Sequence, residues 1–163
     1  MLLSHRFRLF LFLLFTVSSC NWNEDTETSI EDLGSGGSGT FTVSVSPGDG
    51  TGQPLYFWGT GGGTDPTDTA WQILVHREDA VAPEDQTVED SIWGVLTESS
   101  TSVLQSDIPS PVTHGITPTQ AFVVSSDEPE LSTGVDYRVT VYRGSTSTPD
   151  ENWRVFRIKE TTQ

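Results

Sequence analysis

The chain has 163 residues, 34% hydrophobic and 19% charged, with 23 acids against eight basic residues and a net charge of −15. That length fits one ordinary domain with short appendages; the charge density is too low for an acidic disordered chain, and the hydrophobic fraction too low for a membrane-spanning bundle. All 23 acids but only six of the basic residues follow Cys20, so that part carries −17, and with no cluster of Lys and Arg to neutralise phosphates nucleic acid is not an expected partner.

Residues 1–20 read MLLSHRFRLFLFLLFTVSSC, with Arg6 and Arg8, an apolar run from Leu9 to Phe15 and small residues before a cysteine. A membrane span needs about 20 apolar residues, so this shorter run predicts a secretion signal over residues 1–19. Val17-Ser18-Ser19-Cys20 resembles the lipobox of bacterial lipoproteins. The resemblance implies cleavage between Ser19 and Cys20 and a thioether-linked diacylglycerol on Cys20, with fatty acyl chains such as palmitate. Cys20 is the only cysteine. It can form no internal disulfide, which favours lipidation as its use. Each buried methylene contributes about 0.8 kcal/mol, so two or three chains hold firmly where one holds marginally. The implied location is the bacterial cell envelope, with the outer membrane expected. The implied partners are the membrane, through the lipid, and an envelope protein or polysaccharide.

Residues 20–39 continue with NWNEDTETSIEDLGSGGSG after the cysteine. An acidic half and a Gly/Ser half bury little apolar surface, which predicts a disordered tether. About 20 residues of such coil average about 22 to 27 Å end to end. Fully stretched they span about 66 to 72 Å. Gly34, Gly36 and Gly39 match the spacing G-x-G-x-x-G, but a polar acidic stretch precedes them where dinucleotide binding needs a strand. The match reads as low complexity.

From residue 40 to 163 short alternating runs are separated by Gly, Pro, Asp and Ser clusters, which predicts strands and turns. The runs are Phe41–Val45, Leu55–Trp58, Trp71–Val75, Ile92–Leu96, Val112–His114, Ala121–Val124, Tyr137–Tyr142 and Trp153–Ile158. In the last, the alternation slips between Val155 and Phe156, where a bulge is expected. The expected fold is an all-β, two-sheet sandwich of about seven strands over 40–163. Trp58, Trp71, Trp93 and Trp153 fall on these runs; rings that bury about 150 to 250 Å² each are the expected core anchors.

Leu131-Ser132-Thr133-Gly134-Val135-Asp136-Tyr137-Arg138-Val139-Thr140-Val141 resembles the fibronectin type III pattern L-x-P-G-T-x-Y-x-V-x-V. Leu131, Gly134, Tyr137, Val139 and Val141 match, whereas Thr133 and Val135 depart from it. The resemblance implies a fibronectin type III-like or immunoglobulin-like sandwich and a structural tyrosine corner at Leu131, Gly134 and Tyr137, the hydroxyl bonding backbone near the preceding turn.

Catalytic and metal signals are weak. His76 and His114 have no Cys or His at ligand spacing and read as strand-end surface residues. Adjacent acids at Glu78-Asp79, Glu84-Asp85, Glu89-Asp90 and Asp127-Glu128 read as solvated loop residues, and Asp65-Pro66-Thr67-Asp68 as turn chemistry more than a calcium loop. No catalytic residue, metal or cofactor is expected. The predicted function is a lipid-anchored, noncatalytic binding or scaffold module. The alternatives are carbohydrate binding through outward rings at Phe57, Phe122 and Tyr142 and, lower in rank, an enzyme of unfamiliar design.

Overall fold

Alternating apolar residues need a second apolar face to cover them, and the chain meets that need with strands throughout. The computed structural model describes residues 27–48, 53–60, 68–80, 86–97, 106–126, 130–145 and 148–161. Among these residues there are eleven strands and no helix: β1 (Glu27–Gly37), β2 (Thr42–Ser46), β3 (Leu55–Gly59), β4 (Thr69–Ala70), β5 (Gln72–Arg77), β6 (Trp93–Thr97), β7 (Ile108–Pro109), β8 (Val112–Thr113), β9 (Ala121–Ser125), β10 (Asp136–Ser145) and β11 (Thr148–Thr161). They form three antiparallel sheets, ordered β1-β11-β10-β5-β6-β9, β2-β3-β8 and β4-β7. The all-β expectation holds. The count exceeds the expected seven or so because β4 and β7 are two-residue strands with no alternation to read, and because β1 forms where a tether was expected.

Register decides which residues meet. Val139, Val75 and Trp93 lie side by side across β10, β5 and β6, as do Val141, Ile73 and Val95. Val43, Tyr56, Trp58 and Val112 of the three-stranded sheet join the same buried cluster, so the two larger sheets share one core. Its centre is aromatic: the Tyr56 ring lies 5.9 Å from Phe156 and 6.3 Å from Trp93, and Phe156 lies 5.9 Å from Tyr137. Rings tilted at such separations add about 0.5 to 1.5 kcal/mol per pair beyond their burial.

Two of the four expected tryptophan anchors, Trp58 and Trp93, sit in this core. The other two do not. Trp153 stands opposite Thr140 and Gly36, on the face away from Phe156 and Ile158, because its odd position has the other parity of the pleat. Trp71 is buried at the rim, its indole N–H donating to the Arg143 carbonyl at 3.0 Å and its ring 5.4 Å from Tyr142.

The tether expectation is overturned for Glu27–Gly37, which pairs antiparallel with β11 through ten partnered positions. Ile30 packs against the core, Glu31 meets Lys159 at 2.8 Å, and Asp32 pairs with Arg154. Low hydrophobicity argued for disorder, but a strand can be held by main-chain bonds and a complementary neighbour. The expected slip at Val155–Phe156 is also relocated. β10 and β11 pair there without interruption, and the irregularity lies on β1 between Asp32 and Gly34. Val155 and Phe156 are both buried because the sheet is covered on both faces at that point.

Gly37 lets the chain leave the six-stranded sheet. Its φ is +123°, and a Cβ there would lie 2.4 Å from the Glu151 carbonyl oxygen and 2.6 Å from the Asn152 Cα. Gly37→Ala is expected to lower unfolding free energy by about 1 to 3 kcal/mol through strain and backbone overlap, measured by urea denaturation. Tyr137 is fully buried, and its hydroxyl accepts the Ser132 N–H at 2.9 Å. Tyr137→Phe should therefore cost about 0.5 to 1.5 kcal/mol in the same assay with the strand content by circular dichroism unchanged.

Candidate functional site

A groove lies where β1 hands over to β2. It has a volume of about 220 Å³ and is lined by Gly36, Gly39, Phe41, Val43, Asn152 and Trp153 among others. Of the G-x-G-x-x-G glycines, Gly36 and Gly39 line this groove and Gly34 does not; a Cβ on Gly36 would meet the Trp153 ring at 2.5 Å. They do not form a phosphate cradle. The N–H groups of Ser38 and Gly39 donate to the Glu151 carbonyl at 3.0 and 2.9 Å, and that of Thr40 donates to Asp150 Oδ1 at 3.1 Å. Asn152 locks the corner from the other side, its Oδ1 accepting the Gly39 N–H at 3.0 Å and its Nδ2 donating to the Phe41 carbonyl. Backbone donors spent in this way are not free to bind an anion.

Ser19 and Cys20 lie outside the described residues. Leu131, Gly134 and Tyr137 are brought together: Leu131 packs on the core, Gly134 turns at φ +79° and its N–H donates to the Ile158 carbonyl at 2.9 Å, and the Tyr137 hydroxyl reaches Ser132. The three outward rings are not brought together. Phe57 lies on β3 between the core residues Tyr56 and Trp58 and faces away from them, on the three-stranded sheet. Phe122 is 44% exposed on β9, and Tyr142 is half-buried against Trp71. A stacking platform needs rings on one surface: Phe57 is on the three-stranded sheet, whereas Phe122 and Tyr142 share a row of the six-stranded sheet but are separated there by Leu96 and Gln72.

Both histidines are corrected from surface to interior. His114 is wholly buried, its Nδ1 and the Tyr56 hydroxyl sharing a hydrogen bond of 2.8 Å and its ring 5.0 Å from Trp93. His76 is 3% exposed, with Nε2 donating to the Thr87 carbonyl at 2.8 Å. The strand-end argument assumed a solvated outer face. In β5 that face is covered, as the burial of Gln72 and Leu74 also shows.

Among the described acids of these pairs, Glu78, Asp79 and Asp90 are engaged by neighbouring side chains. Glu78 takes a two-point contact from Arg138, Nε to Oε2 at 2.8 Å and Nη2 to Oε1 at 2.5 Å, while the Arg138 guanidinium lies 4.1 Å from the Trp153 ring. Asp79 faces Arg77 at 3.4 Å. Asp90 accepts from Thr87 through both the backbone N–H at 3.1 Å and the hydroxyl at 2.6 Å; these bonds lower its pKa. Glu84-Asp85 and Asp127-Glu128 lie outside the described residues, as do Asp65, Pro66 and Thr67. Asp68 is described and faces Arg143 at 3.4 Å, so a cationic side chain stands where calcium was considered. Among the described residues no group of three or more His, Cys, Asp or Glu could hold a metal ion.

All six basic residues after Cys20 are described, and each lies within 4 Å of a carboxylate: Arg77, Arg138 and Arg143 as above, Arg154 with Asp32, Arg157 with Asp136 and Glu31, and Lys159 with Glu31. Each positive charge is thus paired with a carboxylate, and the remaining acids are in excess. No helix of the described residues is long and apolar enough to cross a membrane.

Burial pushes the His76 pKa down from 6.5, outweighing the opposing effects of Thr87, Asp90 and Glu78, while Arg138 adds to the depression. The folded state therefore disfavours the protonated ring. His76 contributes stability above pH 6.5 that is lost as the pH falls from there through its lowered value. His76→Gln should flatten the fall in melting temperature over that acid window relative to the native chain, measured by differential scanning calorimetry.

The chain matches no known family model, no curated protein and no solved structure.

Proposed function

We propose that the protein is a lipid-anchored component of a bacterial envelope, expected at the outer membrane, whose all-β body works by binding or as a scaffold and not by turnover. The observation that carries this reading is the N-terminal pattern: a basic start, the apolar run Leu9–Phe15, and Val17-Ser18-Ser19 before the chain's only cysteine. The fold is read as a sandwich of the fibronectin type III or immunoglobulin-like kind. Support comes from the core shared by the β2-β3-β8 sheet and the six-stranded sheet, and from the hydrogen bond between Tyr137 and Ser132.

The binding reading is supported by what the polar groups do. The cations are taken up by neighbouring carboxylates, and the corner amides by Asp150, Glu151 and Asn152. What the body offers outward is an acidic surface, the edge strands β9 and β1, and exposed apolar side chains at Phe122, Val123 and Ile116. Such features suit contact with an envelope protein. Carbohydrate binding ranks second, since Phe57 and Phe122 lie on different sheets.

Cys20→Ser should abolish incorporation of radiolabelled fatty acid and move the protein from the detergent phase to the aqueous phase or leave it as precursor. Unchanged labelling and partitioning would end the anchoring reading.

A further inference from the structure

The pairing of β1 with β11 has a geometric consequence for a chain anchored at Cys20. A spacer running to residue 39 would let the body take any posture at the membrane. With β1 beginning at Glu27, only seven steps of chain separate it from Cys20, a reach of at most about 23 to 25 Å. From Glu27 to Gly37 the strand itself runs about 33 Å. A body standing on its Gly37 end would hold Glu27 about 33 Å above the bilayer, beyond what the link can span.

We propose, on the basis of the anchoring reading above, that the body stands on the membrane by the end where β1 begins and holds the Gly37–Phe41 corner outward, away from the lipid. Register identifies both ends. Glu27 pairs with Thr161 and Thr28 with Glu160, and Thr133 of the turn before β10 bonds Glu160 at 3.3 Å, so this turn is near the membrane. Tyr137 pairs with Arg77, which brings Glu78 and Asp79 to the same end. At the far end Gly37 pairs with Asn152, beside Ser38, Asp150 and the groove. Asp79 and Glu160 are exposed towards this end and, with the net charge of the body, oppose collapse onto anionic headgroups. The short link keeps this end close while charge keeps the broad faces off the lipid.

The test uses the full acylated chain in vesicles of phosphatidylethanolamine and phosphatidylglycerol bearing a headgroup quencher. A fluorophore is attached at Thr133→Cys or at Ser38→Cys, both exposed positions, Cys20 being blocked by its lipid. Flotation with the vesicles is scored first. In the floated protein the Thr133 label should lose most of its emission and the Ser38 label should keep most of its own. A flexible insertion of about 12 residues after Asn23, adding roughly 40 Å of reach, should erase that difference. Equal quenching at both positions in the chain of native length, or stronger quenching at Ser38, overturns the orientation. A chain that does not float and whose Cys20 carries no fatty acid overturns the anchoring reading, and the orientation with it.

Discussion

The pairing of β11 on both of its edges is the constraint on which the remaining structure depends. This 14-residue strand bonds β10 along one side and β1 along the other, and it sends Phe156 and Ile158 into the core. At its start, Asp150, Glu151 and Asn152 receive the chain where it leaves β1 for the second sheet. Removing that clamp would separate the six-stranded sheet from β2 and open the shared core at Phe41 and Val43. The last strand in the sequence therefore organises the first. Contacts so distant along the chain must offset a large loop-closure entropy, which the buried aromatic cluster does.

Charge is distributed by the same logic. Six cations each meet a carboxylate, and Arg138 is held by Glu78 on one side and by the face of Trp153 on the other. Exposed pairs such as Arg77–Asp79 contribute little on their own. The half-buried ones on β11 have a clearer effect, since they match an acidic strand to a basic one and set which partner β11 accepts. The net charge that remains is strongly negative, suited to staying clear of anionic lipid and nucleic acid.

Much of the strand layout was legible from alternation. Tyr137, Val139 and Val141 face the core as their spacing predicted, and the turns at Ser46-Pro47 and Thr133-Gly134 fall where Gly and Pro interrupt the runs. The failures share a cause. His76, Arg138 and Thr140 are polar residues on the nominal outer face, yet all are buried, because the central strands are covered on both sides. Trp153 has a core residue's size but the wrong parity, so it packs over Gly36 and Arg138. The groove was not legible, since Gly36 and Trp153 become neighbours only through the register of β1 on β11.

Local pattern alone determined the all-β class and the positions of the principal strands, because period-two alternation and turn residues act over a few residues each. Whether Glu27–Gly37 is tether or strand, which tryptophans fill the core and where the two histidines lie were settled only by tertiary structure. Those outcomes turn on which strand lies alongside and what covers its outer face, and both are set by partners up to more than a hundred residues away.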